Sequence, residues 1–552
     1  MKKKYYFLIG VIALLLIAGM LLVTNDSLKD KIYLNYYTSI KTEESMGDQI
    51  HVVDNKKDVS MWNTDLQNTI EKKIAKEAKK ATFDAPFIIY NPYGTNTNSV
   101  NVYYTTKEAS SMEYTVSVDQ EGVADFTRTA YNGEESGTTK THEYQIIGLV
   151  PNQTNTVTMR SMNSDGEVID EYSFTITMGS LVTDNEPKLE LTDGDSKQEI
   201  SEGLFALLGH DKAFNANIYL YDNDGIIRSE LPLKGYRSDR ILFVDDTMVY
   251  SYDFNKLAFV NRLGKIERKI NLGNYELHHD FVYDEINNSI LLLANEVGTD
   301  TIEDVIIRAD LDNGEVTKLV DMKDLMPEAM AMAVKPEVNT YGGDELDWIH
   351  LNTLDIVNGK DLILSSREYS TIIRVNNVYE QPEIKYFISD ETVWKDTVYE
   401  DYMLDKVGDF VSQAGQHTVT YLEDPSLPDN QYYLYMFNNN YKGARTRPDF
   451  DWSAYVGAGT YSKGDNSYLY QYLVDEEKGT YELVKKVAIP YSSIVSSTQY
   501  YKDNLVTSSG MSNCFNEYDS EGKLIREFKY SSEKYAYRVL KYSFDSFWFN
   551  EK

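Results

Sequence analysis

The sequence YDNDGII at residues 221–227 places a tight polar turn between two segments that favour β-strands. An Asp-Gly or Asn-Gly pair between such segments is a strong short-range signal for a β-hairpin. Short turns that contain a glycine between similar segments recur later in the chain, at residues 260–266, 309–316, 476–481 and 518–524. The sequence therefore predicts a series of hairpins in this part of the chain.

The glycines of these turns recur at a similar interval. Gly225 and Gly264, Gly264 and Gly314, and Gly479 and Gly522 are 39, 50 and 43 residues apart. Such repeats are typical of β-propellers, in which each four-stranded blade is one repeat. About six blades fit into residues 203–552, so we predict a six-bladed β-propeller there.

The region before the propeller predicts a smaller domain. Residues 85–178 contain short alternating runs separated by Gly, Asn and Asp, for example at residues 114–118 and 172–176. This pattern is typical of a β-sandwich, and the turn at residues 147–154 resembles one in fibronectin type III domains. We expect a sandwich at residues 85–178, followed by a polar linker at residues 179–202.

The N-terminus carries a hydrophobic segment. Lysines at positions 2–4 precede 19 uncharged residues, 5–23, which is about the length that spans a bilayer. Because positive residues stay in the cytoplasm, we predict a signal anchor or transmembrane helix at residues 1–24, with the rest of the chain outside the cytoplasm. A cleaved signal, which would make the protein secreted, is the alternative.

Residues 25–84 predict a tether with one short amphipathic helix. Leu66, Ile70, Ile74 and Ala78 recur every four residues among charged neighbours. We interpret the surrounding lysines as a solvated helix face rather than a lipid-binding surface. The complete prediction is an all-β fold, a six-bladed β-propeller preceded by a small β-sandwich domain and an N-terminal transmembrane helix.

Charge and cysteine content exclude several functions. The 552 residues carry a net charge of −33, which argues against nucleic acid as a partner. Cys514 is the one cysteine, so the sequence offers neither an intrachain disulfide nor a Cys-x-x-Cys zinc site. We predict no cofactor and no metal, and a homodimer is compatible with the sequence.

The candidate catalytic residues are histidines. The chain has seven, and four lie in the middle of the predicted propeller: His278, His279, His350 and His417. His279 to His350 and His350 to His417 are steps of 71 and 67 residues, each longer than a blade. Histidines from different blades meet only near the central axis, so the sequence predicts one shared site.

The Asn-Gly turn at residues 358–359 indicates which residue faces His350. His350 and Arg367 lie eight residues before and after this turn, which makes them cross-strand neighbours in a regular hairpin. A similar Asn-Asn turn in another hairpin places His279 opposite Glu296.

Several short motifs occur in a fixed order: HHDF at residues 278–281, DWIHLN at 347–352, LSSR at 364–367, GQH at 415–417 and FNNN at 437–440. In this order they resemble the bacterial arylsulfate sulfotransferase family, which does not use the donor PAPS. The resemblance covers roughly residues 200–552, and the preceding sandwich is similar to the N-terminal domain of that family.

The resemblance implies an enzyme that moves a sulfuryl group from an aryl sulfate to a phenol through a histidine intermediate. The catalytic residues that it implies are His417 as the nucleophile, with His279, His350 and Arg367. The predicted substrate-binding residues are Trp348, Asn352 and His278. His279 is preferred to His278 as the catalytic residue, and His278 stays the alternative.

The chemistry of these residue types agrees with the resemblance. The guanidinium of Arg367 can bind two sulfonate oxygens. A neutral His417 imidazole can attack sulfur. A protonated His279 or His350 can donate its proton to the leaving phenolate, and the sequence leaves both as candidates.

Two other functions are compatible with the sequence. A propeller can display an extracellular binding surface without catalysis, in which case the four side chains need not meet. An aryl sulfate hydrolase would use the same site and differ only in admitting water to the intermediate. In the favoured interpretation the partners are small aryl sulfates and phenols, and the membrane through the N-terminal helix.

The N-terminal segment generates the first testable prediction. Because three lysines precede the 19 uncharged residues, residues beyond Asp26 should lie outside the cytoplasm and the protein should stay in the membrane fraction. Protease digestion of intact cells and fractionation measure both properties. Recovery of soluble protein that begins near residue 25 would show a cleaved signal instead.

Overall fold

Strands connected by tight turns dominate the computed structural model. It describes residues 26–550 except 58, 135, 184–185, 210–216, 236, 337–343 and 533–534. The chain divides into two units. The first comprises residues up to 180 with 260–268 and 545–552, and the second comprises residues 181–259 and 269–544.

The first unit contains a β-rich domain built around one long strand. Its strands are β1 (Thr38–Thr42), β2 (Ile50–Asn55), β3 (Phe87–Tyr90), β4 (Ser99–Val118), β5 (Phe126–Ala130), β6 (Thr139–Ile147), β7 (Thr154–Met162) and β8 (Val168–Thr177). The register of β4 shifts between Thr105 and Ser110. Before the shift β4 pairs with β3 and β6, and after it β4 pairs with β5 and β7. A strand that changes partners in this way contributes to two layers.

The stretch before β3 is more structured than a tether. Helix α1 (Asp26–Tyr37) leads into the β1–β2 pair, and β2 pairs in parallel with β3. Helix α2 (Thr64–Glu77) is the predicted amphipathic helix, with the Asn63 side chain accepting a hydrogen bond from Leu66 N. The sequence gives little signal for β1 and β2 because their side chains are mostly half-buried or exposed, which leaves no sustained alternation.

The predicted membrane helix at residues 1–24 lies outside the described residues. Among the helices that the structure describes, none is both long enough and apolar enough to cross a membrane.

Residues 181–544 have the predicted six-bladed arrangement: they form six sheets, each with the four strands of one blade, and residues 260–268 of blade 2 are the part that the division assigns to the first unit. Blade 1 is β10 (Leu204–Leu208), β11 (Asn217–Tyr221), β12 (Ile227–Pro232) and β34 (Arg538–Tyr542). Blade 2 is β13 (Leu242–Val244), β14 (Thr247–Asp253), β15 (Lys256–Asn261) and β16 (Ile266–Asn271). Blade 3 is β17 (Tyr275–Asp284), β18 (Ser289–Glu296), β19 (Val305–Asp310) and β20 (Val316–Asp321).

The other three blades follow in chain order. Blade 4 is β21 (Leu351–Val357), β22 (Asp361–Ser366), β23 (Thr371–Asn376) and β24 (Glu383–Ile388). Blade 5 is β26 (His417–Leu422), β27 (Gln431–Asn438), β28 (Ser467–Asp475) and β29 (Thr480–Ile489), extended by β25 (Asp405–Val407). Blade 6 is β30 (Ser496–Tyr501), β31 (Asn504–Ser509), β32 (Cys514–Tyr518) and β33 (Leu524–Tyr530), extended by β9 (Leu189–Asp193). Short helices between strands are α3 (Met322–Leu325), α4 (Pro327–Met332) and α5 (Glu391–Trp394).

The repeated turn of the sequence joins the two outer strands of a blade. Its glycines have positive φ, for example 73° at Gly225 and 82° at Gly522, which a residue with a side chain adopts only with strain. Blade 4 has no glycine between β23 and β24, and Asn377 takes the left-handed conformation there instead. The glycine repeat of the sequence therefore does not include blade 4.

A buried carboxylate connects four blades. Asp280 of β17 is fully buried, and both its oxygens accept hydrogen bonds from Arg538 of β34, at 2.7 and 3.2 Å. Arg240, just before β13, also donates to both oxygens, at 3.0 and 3.2 Å. Arg538 donates in addition to the carbonyl oxygen of Asn352 in β21. Because β34 is the C-terminal strand and pairs with β10, this cluster links the strand that completes blade 1 to blades 2, 3 and 4.

The cluster predicts a large loss of stability on removal of its carboxylate. Asp280→Ala leaves the buried guanidinium of Arg538 and the half-buried one of Arg240 without this anion, and should destabilise the protein by about 3–5 kcal/mol. Urea unfolding followed by circular dichroism measures this loss. Glu521→Ala, which breaks the exposed Glu521–Lys523 pair, is the control and should leave the midpoint nearly unchanged. Equal midpoints for the two variants would contradict the assignment.

Candidate active site

The innermost strands of blades 3, 4 and 5, together with the residue after β22, bring five of the seven predicted site residues to one cavity. The cavity has a volume of about 590 Å³. Among the residues that line it are His278, His279, His350, Arg367 and His417. This convergence is the feature that separates an enzyme site from a propeller whose histidines are dispersed.

Each histidine strand is irregular where its histidine lies. The strand register shifts between Leu277 and Phe281, between Leu351 and Thr353, and between His417 and Thr420. At or directly before each shift, one non-glycine residue has a left-handed φ: His279 at 58°, His350 at 50° and Thr418 at 47°. Bulges of this kind redirect side chains and are common near active sites. The strained backbone, about 1–3 kcal/mol for each residue, must be held by surrounding contacts.

The bulge in β17 corrects one sequence prediction. Glu296 pairs with Tyr275, not with His279, because the extra residues of the bulge change the register. The Glu296 carboxylate instead lies 2.8 Å from Lys318 Nζ. The prediction for the next blade agrees with the structure, since the backbone N–H of Arg367 donates to His350 O at 3.1 Å.

The imidazole of His417 is held as one neutral tautomer. Its Nδ1 lies 2.8 Å from Asn439 Oδ1 and 3.1 Å from Gly415 O, and both oxygens are acceptors. The amide of Asn439 is fixed because its Nδ2 donates to Ser492 O and Ser496 Oγ. Nδ1 therefore carries the hydrogen, and Nε2 keeps a lone pair.

The surroundings of His417 also favour its neutral form. Burial lowers its pKa to about 3, and the nearby charges of Arg367 and His350 act in the same direction against the opposing effect of the Asn439 hydrogen bond. His417 is thus neutral at physiological pH.

His350 has the opposite environment. Its Nδ1 lies 2.5 Å from Glu303 Oε2 and 2.6 Å from Asp347 Oδ2. Burial and Arg367 act to lower the pKa of His350, but the two carboxylates outweigh them and raise it to about 10. His350 is therefore an imidazolium at neutral pH, and Nε2 is the nitrogen left to act on a substrate.

His278 and His279 form a neutral pair. Their Nδ1 atoms are 2.9 Å apart, so one donates and the other accepts. Burial, together with the charge of His350, lowers the pKa of His278 to about 3 and that of His279 well below its ordinary value. The His279 ring lies 4.9 Å from the His350 ring, centre to centre. Both histidines line the cavity, so the choice between His278 and His279 as the catalytic residue stays open.

Two guanidinium groups face the same cavity. Arg367 is nearly buried, with Nη2 4.0 Å from Asp347 Oδ2 and 3.9 Å from Glu368 Oε2. Arg237 lies 2.6 Å from Asp239 and over the ring of Tyr537 at 3.7 Å. The apolar part of the lining consists of Phe254, Leu277, Ile494 and Val495. The cavity thus combines positive charge with an apolar wall.

Two predicted substrate contacts are corrected. Trp348 does not line the cavity, because it is fully buried in the core and its indole N–H donates to Asp304 Oδ2 at 2.9 Å. Asn352 is also fully buried, and its side chain donates to Gln416 O at 2.8 Å. Proximity to His350 in sequence misled both predictions, since the left-handed turn at His350 changes the direction of the chain.

Sequence reasoning missed several residues of the site. Asp347 and Asn439 lie in the motifs at residues 347–352 and 437–440, so the sequence did mark their positions. Arg237 and Tyr537 lie outside all of the motifs. Glu303 lies in the loop between β18 and β19, which carries no recognisable pattern.

Two groups of side chains have ligand atoms close enough together to hold a cation. They are His278, His279 and Glu303, and Glu303, Asp347 and His350, with atoms within 4.8 Å of one another. In the second group the protonated His350 already supplies a positive charge between the two carboxylates.

A neutral histidine, a protonated histidine and guanidinium groups around one propeller cavity define a site suited to reaction at an anionic substrate. Residues 191–543 match the family model described as arylsulfotransferase (ASST), and residues 87–179 match the arylsulfotransferase Ig-like domain. The chain therefore belongs to the arylsulfotransferase family, which supports aryl sulfotransferase activity in general.

Other comparisons are less informative. No curated protein matches the chain. Among solved structures, a putative 6-phosphogluconolactonase from Bacteroides uniformis is 12% identical, covers 78% of this chain and 99% of its own, and has a TM-score of 0.34. AztD from Citrobacter koseri is 11% identical, with coverage of 79% and 99% and a TM-score of 0.28. Similarities at this level do not bear on function.

The hydrogen bond from His417 to Asn439 can be tested directly. Asn439→Ala should lower turnover of an aryl sulfate by about 10–100-fold, the range found when the group that orients a metal-binding histidine is removed. The reason is that the Nδ1–H tautomer loses its main partner. Steady-state release of the phenol measures the effect. Asn376→Ala, on the outer part of blade 4, is the control, and equal activity of the two variants would refute the tautomer assignment.

Proposed function

We propose that the protein transfers a sulfuryl group from an aryl sulfate to a phenol in two steps, through a sulfohistidine at His417 and without PAPS. The observation that carries the proposal is the contrast between two histidines of one cavity: Nδ1 of His417 faces two carbonyl oxygens, whereas Nδ1 of His350 faces two carboxylates. His417 is neutral with a lone pair on Nε2, whereas His350 is protonated. A nucleophile and an acid are thus present together at neutral pH.

In the first step, His417 Nε2 attacks the sulfur atom. The Nε2–S bond forms, and the bond from sulfur to the aryl oxygen breaks with its electron pair left on that oxygen. His350 donates a proton to the departing phenolate, which leaves as the phenol. The sulfonated ring keeps its Nδ1–H, so the positive charge of the ring is shared with Asn439 Oδ1 and Gly415 O.

The arginines bind the sulfonate oxygens. Arg367 offers a planar pair of donors and lies close enough to His417 to lower its pKa. Its Nη2 lies 3.9 Å from Glu368 Oε2 and 4.0 Å from Asp347 Oδ2.

In the second step, the acceptor phenol gives its proton to His350, which is neutral after the first step. The phenol oxygen then attacks sulfur, the S–Nε2 bond breaks, and His417 recovers its lone pair. Each proton and electron pair taken in the first step is returned in the second. The pKa of His350, about 10, is close to that of an ordinary phenol, about 10, so the transfer is nearly balanced in both directions.

The proposed location is the outer face of the cell membrane. The support is the sequence of the N-terminus, with lysines at positions 2–4 before the uncharged residues 5–23. Donors and acceptors would then be phenols and aryl sulfates outside the cytoplasm.

The proposal predicts a covalent label on His417. Wild-type protein mixed with 4-nitrophenyl sulfate, without acceptor, PAPS or added metal, should release a burst of nitrophenol and gain one SO₃ on the peptide containing residue 417 by mass spectrometry. His417→Ala should give neither burst nor label. Turnover should rise on addition of phenol, which distinguishes a transferase from a hydrolase.

The other site residues should show graded effects. His350→Ala should slow the reaction by a factor on the order of 10²–10⁴, because the acid and base of the reaction is lost. His279→Ala should also slow it, because the His279 ring packs against that of His350. Arg367→Lys should be severely impaired, because lysine keeps the charge without the bidentate geometry. His51→Ala, in the first unit, is the control. A label on His279 or His350, a burst from His417→Ala, or dependence on PAPS would refute the mechanism.

A further inference from the structure

Glu303 joins two of the histidines in the cavity. Its Oε2 lies 2.5 Å from His350 Nδ1, and its Oε1 lies 3.7 Å from His279 Nδ1. The residue is buried, and it comes from the loop between β18 and β19 rather than from an innermost strand. Glu303 lines the cavity, and among the ion pairs of the described residues its carboxylate is the one that contacts both His279 and His350.

The backbone holds this carboxylate in place. Glu303 has a left-handed φ of 61°, which is unfavourable for a residue with a side chain. Its N–H donates to Asn295 Oδ1 at 2.7 Å, and its C=O accepts from Leu351 N at 3.0 Å. The loop is therefore tied to β18 on one side and to the residue after His350 on the other. Strain that is held by surrounding contacts is typical of functional positions.

One carboxylate alone would have to overcome both burial and the charge of Arg367 to keep His350 protonated. The groups that face His350 are Asp347 from its own loop, Glu303, Arg367 after β22, His278 and His279 of β17, and His417 of β26. Arg367 and burial both disfavour the imidazolium. Asp347 Oδ2 and Glu303 Oε2 lie 2.6 and 2.5 Å from the same nitrogen, His350 Nδ1, so the two carboxylates contact the imidazole together. Burial raises the pKa of Glu303, and the contact with His350 opposes that rise.

We propose that Glu303 is a positioning residue that holds the proton on His350 and thereby allows the enzyme to use weakly acidic phenols. The inference rests on the proposed function, because it concerns the acid of that reaction. A basic phenolate needs a proton as it leaves, whereas a stabilised one such as nitrophenolate leaves more readily without it. Loss of Glu303 should therefore matter most for donors with basic leaving groups and for weakly acidic acceptors.

The test compares two donors in single-turnover reactions. Wild type, Glu303→Gln, Glu303→Asp and the control Glu296→Gln are each mixed with 4-nitrophenyl sulfate or phenyl sulfate, and the rate of SO₃ addition to the residue-417 peptide is measured against pH. Glu303→Gln should lose at least about tenfold more rate with phenyl sulfate than with 4-nitrophenyl sulfate. Its rate with phenyl sulfate should also fall at a lower pH than that of wild type, which falls near pH 10 as His350 loses its proton. Glu303→Asp should recover part of both properties, and Glu296→Gln should match wild type.

The outcomes separate this inference from the proposed function. Absence of label in the wild type with either donor would sink the proposed function itself. A labelled wild type, combined with an equal loss for both donors and an unmoved alkaline limb in Glu303→Gln, would overturn the inference alone. If Glu303→Gln does not fold, Glu303→Asp decides: a larger loss with phenyl sulfate supports the proposal, and equal losses contradict it.

Discussion

The buried contact of Asp280 with Arg538 and Arg240 is the constraint on which the site depends. Removing a carboxylate from water is costly, and this one recovers the cost only because four guanidinium nitrogens donate to it. Asp280 directly follows His278 and His279 and lies in the same bulge. One interaction therefore connects the C-terminal strand to its neighbouring blades and fixes the irregular backbone that presents two histidines.

The site works by giving chemically identical side chains different surroundings. His417 faces two carbonyl oxygens, which orient Nδ1–H but supply no full charge. His350 faces two carboxylates, which do. Burial strengthens both effects, because it lowers the pKa of a histidine without an anion and increases the attraction to one that has two. Pairs of titratable groups whose pKa values are pushed apart commonly mark the acid and the nucleophile or base of an enzyme.

The sequence predicted the six-bladed arrangement and the β-rich N-terminal domain, and it predicted that histidines of different blades meet in one cavity. The catalytic roles of these residues stay predictions. The turn glycines predicted the outer hairpins, and the spacing of His279, His350 and His417 predicted their meeting at the axis. Predictions that assumed a regular register failed where a bulge intervened, as for Glu296 opposite His279. Trp348 was misassigned because a left-handed residue turns the chain beside it. Glu303 could not be predicted from the sequence, because its contact with His350 depends on how the loop between β18 and β19 lies against β21.

The central claim is that His417 is neutral while His350 is protonated, because sulfuryl transfer in this cavity needs a nucleophile and an acid at the same pH. An NMR titration of protein with isotope-labelled histidine tests it most directly, with signals assigned from single His→Gln variants. The account predicts that His417 keeps a neutral Nδ1–H signal down to about pH 3 and that His350 keeps an imidazolium signal up to about pH 10. Ordinary titration of both rings near pH 6.5 would contradict it.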